Sequence, residues 1–226
     1  MRHIVAMGGG GFSMEPDNLA LDRYVLSLVE ADKPKVCFIP TASADSEDYT
    51  RRFYEAFEGL GCEASHLSLF WPHRLDFDDF MMAQDVIYVG GGNTRNLLLL
   101  WKDWGLDSAI RKAYENGTVL AGISAGANCW FEEFSTDSMG PLAPWKGLGW
   151  LNGSFCPHYD GESDRRPSLK RMLDEGEMGP GFACDDGVAA HYIDENLYQF
   201  VSSRPSAMAY RVEVGEETPI QPKVLV

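Results

Sequence analysis

Short apolar runs alternate with segments of helical period through the first half of the chain, and this alternation constrains the fold most strongly. The apolar runs are residues 3–7, 36–39, 86–89 and 119–123, each followed by Gly, Pro or Ser. Residues 21–29, 49–60 and 106–114 between them each place their apolar side chains on one helical face. Buried parallel strands are continuously apolar, and helices connect them across both faces of the sheet. The sequence therefore predicts an α/β three-layer sandwich with a mostly parallel central sheet.

The second half of the chain has a different pattern. The runs 188–193, 197–201 and 208–214 follow one another closely, without a helical segment between them. Such spacing predicts an antiparallel extension at one edge of the sheet. Because no Pro-, Gly- or Ser-rich linker interrupts the chain, residues 1–226 are expected to form a single domain.

Composition excludes several classes of function. Lys and Arg total 19 against 34 Asp and Glu, so a net charge of -15 disfavours nucleic acid and anionic membranes as partners. The longest uncharged stretch, residues 116–131, is shorter than the roughly 20 apolar residues of a membrane span. Five scattered cysteines without a CxxC pair disfavour a zinc site and indicate reduced thiols. We expect a cytoplasmic protein that needs no metal or cofactor.

The sequence Gly122-Ile123-Ser124-Ala125-Gly126 directly follows an apolar run. G-x-S-x-G between a strand and a helix is typical of a nucleophile elbow, in which the serine hydroxyl is exposed above the end of the sheet. Ser124 is therefore the predicted nucleophile. The alternative interpretation is a turn of small residues that packs a helix against a strand.

A serine nucleophile needs a base, usually a histidine oriented by a carboxylate. His158 follows the short apolar run 151–156, so it lies at the end of a predicted strand. The other histidines lie far upstream or, like His191, inside a predicted strand. His158 is the predicted base, and His191 is the second candidate.

Three consecutive glycines, Gly90-Gly91-Gly92, follow the predicted strand 86–89. Their backbone N–H groups suit an oxyanion hole, so Gly91, Gly92 and the Ala125 amide are the predicted donors. Asn93 is a predicted helix N-cap and a candidate substrate-binding residue. A second glycine run, Gly8 to Gly11, lacks the remaining features of a nicotinamide-binding fingerprint, so a dinucleotide site is rejected.

The segments VGGGNT, GISAGAN and PHYD together resemble peptidase E, the aspartyl dipeptidase, and the related cyanophycinases. The resemblance covers nearly the whole chain and implies a fold similar to class I glutamine amidotransferases. It also implies a serine peptidase with Ser124 as nucleophile and His158 as base. Those amidotransferases carry a cysteine at the position of Ser124, which disfavours glutamine hydrolysis.

The resemblance implies a glutamate as third member of the triad, but this chain has Asp186 at the matching position. Asp185, Asp137 and Glu133 are the competing carboxylates. By the same resemblance an arginine binds the substrate's aspartyl carboxylate. The positional match is Arg166, which belongs to a cluster with Arg165 and Arg171.

These observations predict a serine exopeptidase that hydrolyses short peptides, with an N-terminal Asp as the expected residue. One alternative is a cyanophycinase-like hydrolase of β-Asp-Arg peptides, whose cationic substrate suits the acidic chain. The other is a non-catalytic binding module, in which the short Asp186 side chain no longer orients His158. Trp130, Trp145 and Trp150 follow the nucleophile. Core packing is the favoured interpretation, and the alternatives are the lining of a pocket or a contact in a homodimer.

Overall fold

The computed structural model describes residues 1–225, and the predicted apolar runs form strands with nearly the predicted bounds; Val226 lies outside the described residues. The strands are β1 His3–Met7, β2 Lys35–Ile39, β3 Glu63–His66, β4 Val86–Val89, β5 Val119–Ile123, β6 Phe131–Thr136, β7 Ala143–Lys146, β8 Leu151–Cys156, β9 Gly181–Cys184, β10 Val188–Ile193, β11 Asn196–Ser202, β12 Ala209–Glu213, β13 Glu216–Ile220 and β14 Lys223–Val224. The helices are α1 Gly11–Met14, α2 Ala20–Leu26, α3 Glu47–Gly59, α4 Phe77–Met82, α5 Thr94–Trp104, α6 Leu106–Glu115, α7 Ala125–Asn128 and α8 Arg165–Asp174.

An eight-stranded central sheet has the order β14-β11-β10-β1-β5-β4-β2-β3. Strands β1, β5, β4, β2 and β3 are parallel, and β10 and β11 extend the sheet antiparallel beyond β1. The predicted α/β class, parallel core and antiparallel edge are therefore confirmed. Strand β3 was not predicted, because its sequence Glu-Ala-Ser-His is only half buried and lacks an apolar run.

Local signals at the helix ends explain where the helices begin and end. Ser46 accepts a hydrogen bond from the Tyr49 amide at the start of α3, and acidic residues occupy the first turn. After this helix Gly61 adopts a φ of 83°, in the left-handed region that favours glycine. Gly117, with a φ of 105°, follows α6 in the same way.

Alternate side chains of the parallel strands pack into two separate cores. On one face Val5, Val36 and Phe38 contact α1, α2 and α3, and five aromatic side chains surround Phe12. On the other face Ile4 and Ile87 pack with α4 to α7. Helices on both faces complete the predicted three layers.

A second sheet of six strands, in the order β13-β12-β9-β8-β6-β7, packs against the α4 to α7 side. The prediction that residues 208–214 belong to the edge extension was wrong, since β12 pairs with β9 and β13. Closely spaced short strands indicate antiparallel pairing, but they do not specify which sheet a strand joins. Helix α8 covers the far side of this second sheet.

No helix within residues 1–225 combines the length and apolar character needed to cross a membrane. The single-domain assignment of residues 1–226 stays a prediction.

Candidate active site

The last residue of β1 and the glycines that follow it hold three separate segments of the chain at the carboxyl end of the sheet. Three successive carbonyl groups, those of residues 7, 8 and 9, each accept one backbone hydrogen bond. The donors are, in order, the amides of Ser124, His158 and Gly187, at 3.0, 3.1 and 3.0 Å. The predicted nucleophile, the predicted base and the residue after Asp186 therefore lie side by side, although 63 positions separate Ser124 from Gly187.

Ser124 occupies a strained turn between β5 and α7. Its backbone has φ 55° and ψ -111°, a region that side-chain-bearing residues rarely adopt. A Cβ added at Gly122 would lie 2.1 Å from the Gly126 carbonyl oxygen, and one at Gly126 would lie 2.2 Å from the Val89 oxygen. Both flanking glycines are thus required by close backbone packing, and this packing fixes the position of the serine side chain.

His158 lies beside Asp186, and both side chains are nearly buried. The Nδ1 atom of His158 is 2.7 Å from Asp186 Oδ1, and the side chains are 12% and 11% exposed. Because an ionised carboxylate only accepts, this contact places the proton on Nδ1 and leaves Nε2 as a free acceptor. That tautomer is the one in which a histidine can remove a proton from a serine hydroxyl.

Asp186 is the carboxylate that reaches the His158 ring, although it is one methylene shorter than glutamate. The Asp186 amide donates to Asp160 Oδ1 at 2.8 Å, which holds this segment close to the histidine. A Cβ added at Gly161 would lie only 2.3 Å from Asp186 Oδ2, so the loop approaches the carboxylate on its other side. Tight loop packing therefore compensates for the shorter side chain.

The competing carboxylates have other contacts. Asp185 Oδ2 accepts the Met208 amide at 2.9 Å, and burial raises the pKa of Asp185 to about 6. Glu133 Oε2 accepts the Gly179 amide at 2.7 Å. Asp137 lines the cleft described below.

His191, the second candidate base, lies within β10 and away from this group. Its Nε2 atom is 2.9 Å from His3 Nδ1, and its Nδ1 atom is 2.7 Å from the Tyr24 hydroxyl. Burial lowers the pKa of His191 to about 4, so its ring is neutral near pH 7. Both ring nitrogens are used within the protein.

Of the predicted oxyanion donors, Gly91 lies next to the Ser124 side chain and Ala125 follows Ser124 in the chain. A Cβ added at Gly91 would lie 3.4 Å from Ser124 Cβ. The Gly91 amide donates a long hydrogen bond of 3.3 Å to the Tyr49 hydroxyl. In contrast, the Gly92 and Ala125 amides have no acceptor within residues 1–225. Two of the three predicted N–H groups are thus free to bind an anionic oxygen, and Tyr49 is a neighbour that the sequence did not indicate.

Asn93 is the N-cap of α5, as predicted. Its Oδ1 atom accepts the Asn96 amide at 2.9 Å, and its Nδ2 atom donates to the Ser138 carbonyl at 2.9 Å. One N–H of the side-chain amide remains for a substrate. The second bond also ties the loop after β6 to the glycine loop of residues 90–92.

A cleft of about 720 Å³ lies between residues 137–142 and 161–171. Gly161, which lines this cleft, lies directly against the Asp186 carboxylate, whereas Ser124 and His158 are not part of the lining. Asp137, Glu162, Asp164 and Arg171 contribute its charged lining. Acidic side chains outnumber basic ones in this cleft.

Each arginine of the predicted cluster has a glutamate partner. Buried Arg165 donates to Glu162 at 2.7 Å, Arg171 donates to Glu175 and Glu177 at 2.6 and 2.9 Å, and Arg166 is 3.6 Å from Glu217. Arg171 lines the cleft beside the candidate triad. Arg166, the positional match from the resemblance, lines a different cavity.

Within residues 1–225, no three His, Cys, Asp or Glu side chains converge as a metal-binding group. Cys129 and Cys156 are fully buried, and burial raises the pKa of the Cys156 thiol to about 11. Both side chains thus occupy core space as small apolar groups.

A serine hydroxyl on a strained turn, a His–Asp pair and free backbone amides are the parts of a serine hydrolase active site. Comparison with known proteins narrows this class. The sequence model of Peptidase family S51 matches residues 4–200. The chain therefore belongs to this family of serine peptidases.

Relatives with curated names agree with this assignment. The chain is 58% identical to the uncharacterized peptidase YgaJ of Bacillus subtilis (strain 168), with both chains fully covered. It is 29% identical to peptidase E of Actinobacillus pleuropneumoniae serotype 7 (strain AP76), over 74% of this chain and 75% of the relative.

Two solved structures share the fold. A peptidase from an acI-B1 Actinobacterium superposes with a TM-score of 0.76 at 20% identity, covering 98% of this chain and 95% of the other. A putative peptidase E protein from Listeria monocytogenes EGD-e gives a TM-score of 0.59 at 20% identity, with 98% of both chains covered.

Proposed function

We propose that this peptidase is a serine exopeptidase that removes the N-terminal residue of short peptides through an acyl-enzyme. The observation that supports this most directly is the 2.7 Å contact between His158 Nδ1 and Asp186 Oδ1, beside the strained turn of Ser124. The same contact argues against the binding-module alternative, which required Asp186 to be too short to orient the histidine.

In the proposed mechanism Ser124 Oγ attacks the scissile carbonyl while His158 Nε2 accepts the hydroxyl proton. Asp186 holds the other ring nitrogen protonated and stabilises the imidazolium that forms. His158 then transfers its proton to the leaving amine, and water hydrolyses the ester on Ser124 by the reverse sequence. No hydrogen bond joins Ser124 Oγ to the His158 ring within the described residues. Catalytic hydrogen bonds are often long in enzymes without substrate, and we expect substrate binding to bring these two groups within hydrogen-bonding distance.

The carbonyl oxygen becomes an anion in the tetrahedral intermediate. The free Gly92 and Ala125 amides are proposed to donate to it, and the Gly91 amide joins them if Tyr49 releases it. Loss of one such donor costs about 3 kcal/mol of transition-state stabilisation.

The N-terminal residue of the substrate has two candidate classes. The resemblance to peptidase E favours Asp, which needs a cationic partner in the cleft. Arg171 is positioned there, but it would have to leave Glu175 and Glu177 to bind a substrate carboxylate. The ion pairs of Arg171 and the acidic lining of the cleft instead favour a cationic peptide such as β-Asp-Arg. Long-range attraction by the chain's net charge of -15 also favours a cation.

Hydrolysis assays separate these classes and test the mechanism. Asp-Leu and β-Asp-Arg are compared with wild-type protein and with Arg171→Gln, using Arg166→Gln as the matched α8 control. Acidic specificity predicts a higher KM for Asp-Leu in Arg171→Gln alone, whereas cationic specificity predicts preference for β-Asp-Arg in all three proteins. Ser124→Ala or His158→Ala is expected to lower turnover of the accepted peptide by about 10⁶-fold. Retained hydrolysis in both of these variants contradicts the mechanism.

The five cysteines are buried and unpaired, which supports the proposed cytoplasmic location. A homodimer stays a proposal, and sedimentation of the purified chain tests it.

A further inference from the structure

A second cavity, of about 280 Å³, lies between α8 and the β12–β13 hairpin. Leu173 and Val212 form an apolar floor and are 3% and 2% exposed. The Gly215 amide donates to Asp174 Oδ1 at 3.2 Å, which ties the hairpin turn to the end of the helix. The cavity therefore has walls that are bonded to one another, and it contains neither Ser124 nor His158.

Arg166 is held at the edge of this cavity with its charge incompletely neutralised. The guanidinium carbon lies 4.7 Å from the ring centres of both Tyr159 and Tyr210, so two aromatic faces fix its orientation. The Oε2 atom of Glu217 is 3.6 Å from Arg166 Nε, which is too far for a hydrogen bond. The same oxygen accepts a hydrogen bond from the Tyr159 hydroxyl. The Tyr210 hydroxyl is a hydrogen-bond partner of this guanidinium. Because a guanidinium carries five N–H donors, the remaining N–H groups of Arg166 are available to a carboxylate from outside.

Lys170 lies one helical turn after Arg166 and lines the same cavity. Its ammonium group has no ion-pair partner within 4 Å in the part of the chain that the structure describes. Glu213 and Glu216 lie on the hairpin across from the helix. Glu213 has only a 3.8 Å contact with Arg211, and Glu216 accepts a hydrogen bond from Thr218. The cavity therefore presents cations on one wall, carboxylates on the other and an apolar floor between them.

We propose that this cavity binds a free α-amino acid with an apolar side chain. Arg166 and Lys170 bind its carboxylate, Glu213 or Glu216 binds its ammonium group, and Leu173 and Val212 contact its side chain. Free amino acids are products of a peptidase, so the ligand class is present wherever the enzyme works. The proposal is independent of the catalytic roles of Ser124 and His158, because neither residue lines the cavity.

Isothermal titration calorimetry with L-leucine tests the proposal on the full chain. Wild-type protein is expected to bind L-leucine, and Ser124→Ala is expected to bind it equally. Leucinamide lacks the carboxylate and 4-methylpentanoate lacks the ammonium group, so both are expected to bind at least about tenfold more weakly. Absence of L-leucine binding, or equal binding of all three compounds, overturns the proposal.

Matched variants on α8 locate the binding. Arg166→Gln and the exposed variant Lys170→Gln are each expected to weaken L-leucine binding by about tenfold or more. Arg171→Gln, which changes the other cleft, is expected to leave it unchanged. If only Arg171→Gln weakens binding, L-leucine occupies the cleft that Arg171 lines and the proposal is wrong. Circular dichroism and the melting temperature establish that each variant is folded. If Arg166→Gln does not fold, the binding measured with Lys170→Gln decides between the outcomes.

Discussion

Replacing Gly9 with alanine is expected to separate His158 from Asp186 without disturbing the rest of the fold. An ideal Cβ at this position lies 1.9 Å from Asp186 Oδ1 and 3.1 Å from His158 Nδ1. Gly9 does not have the positive φ seen at Gly10 and Gly11, so alanine is compatible with its backbone conformation. The substitution therefore acts through the added methyl group alone.

The size of the effect follows from the contact distance. Real Cβ atoms essentially never approach a neighbour within 3.0 Å, so the carboxylate oxygen has to move by about 1 Å or more. A movement of that size takes the 2.7 Å bond between His158 and Asp186 beyond hydrogen-bonding distance. Removing the orienting carboxylate interaction from such a triad lowers kcat by about 10⁴-fold, and we expect a loss of about 10³- to 10⁴-fold for Gly9→Ala.

The assay is kcat/KM for the best substrate of a dipeptide panel, measured in a double-mutant cycle. Gly9→Ala, Asp186→Ala and the double variant are compared with wild-type protein. Because alanine at position 186 leaves space for the new methyl group, the double variant is expected to match Asp186→Ala within about twofold. Gly59→Ala, at a site with no atom within 4 Å of the added Cβ, controls for the glycine substitution itself.

Two results would refute this reasoning. The first is wild-type activity in Gly9→Ala, since the methyl group would then fit without moving Asp186. The second is an equal loss in the wild-type and Asp186→Ala backgrounds, which would show that the methyl group acts elsewhere.

Two further predictions concern stability and are measured by urea unfolding. Asp22 is fully buried, and burial raises its pKa to about 7, above its value in the unfolded chain. Its contribution to stability is therefore greatest below about pH 4 and falls by up to about 4 kcal/mol as the pH rises to 7 and above. Asp22→Asn is expected to flatten this dependence between pH 5 and pH 8, and an unchanged slope would contradict the assignment. Asn93→Ala removes the N-cap of α5 and the bond to Ser138, and we expect it to lower the free energy of unfolding by about 2 kcal/mol. Asn96→Ala, an exposed position on the same helix, is expected to have little effect, so equal losses in the two variants would disprove the capping argument.

Much of the central sheet was predictable because buried parallel strands have a strong local signal. Strands β1, β4, β5, β8 and β10 have the bounds of their apolar runs. Strands β3 and β7 are edge strands with partly exposed side chains, so no continuous apolar run marks them. The second sheet was missed because its assembly depends on long-range pairing between short strands.

The candidate site was predictable where a nucleophilic or basic side chain directly follows a predicted strand. Ser124 and His158 each follow a strand, and their amides bond to the adjacent carbonyls of Met7 and Gly8. The sequence left Asp186 open, because side-chain length alone does not reveal that Asp160 and Gly161 bring the backbone close enough.

From the sequence, Gly8 and Gly9 belong to a glycine run that does not fit a dinucleotide-binding fingerprint, and their role in the candidate site is not evident. Their requirement for glycine arises from residues 158 and 184–186, which are distant in the sequence, so no local pattern indicates it. A run of glycines directly after the first strand of a parallel sheet was the one available signal, since active sites form at that end of the strands. The sequence also did not indicate which cavity Arg166 lines, because this depends on how α8 packs against the β12–β13 hairpin.

Labelling with a fluorophosphonate followed by peptide mass spectrometry tests most directly whether Ser124 is activated by His158. The folded wild-type chain is expected to carry the label on Ser124, and His158→Ala is expected to remain unlabelled under the same conditions. An unlabelled Ser124 in folded wild-type protein, or labelling that persists in His158→Ala, would contradict the account.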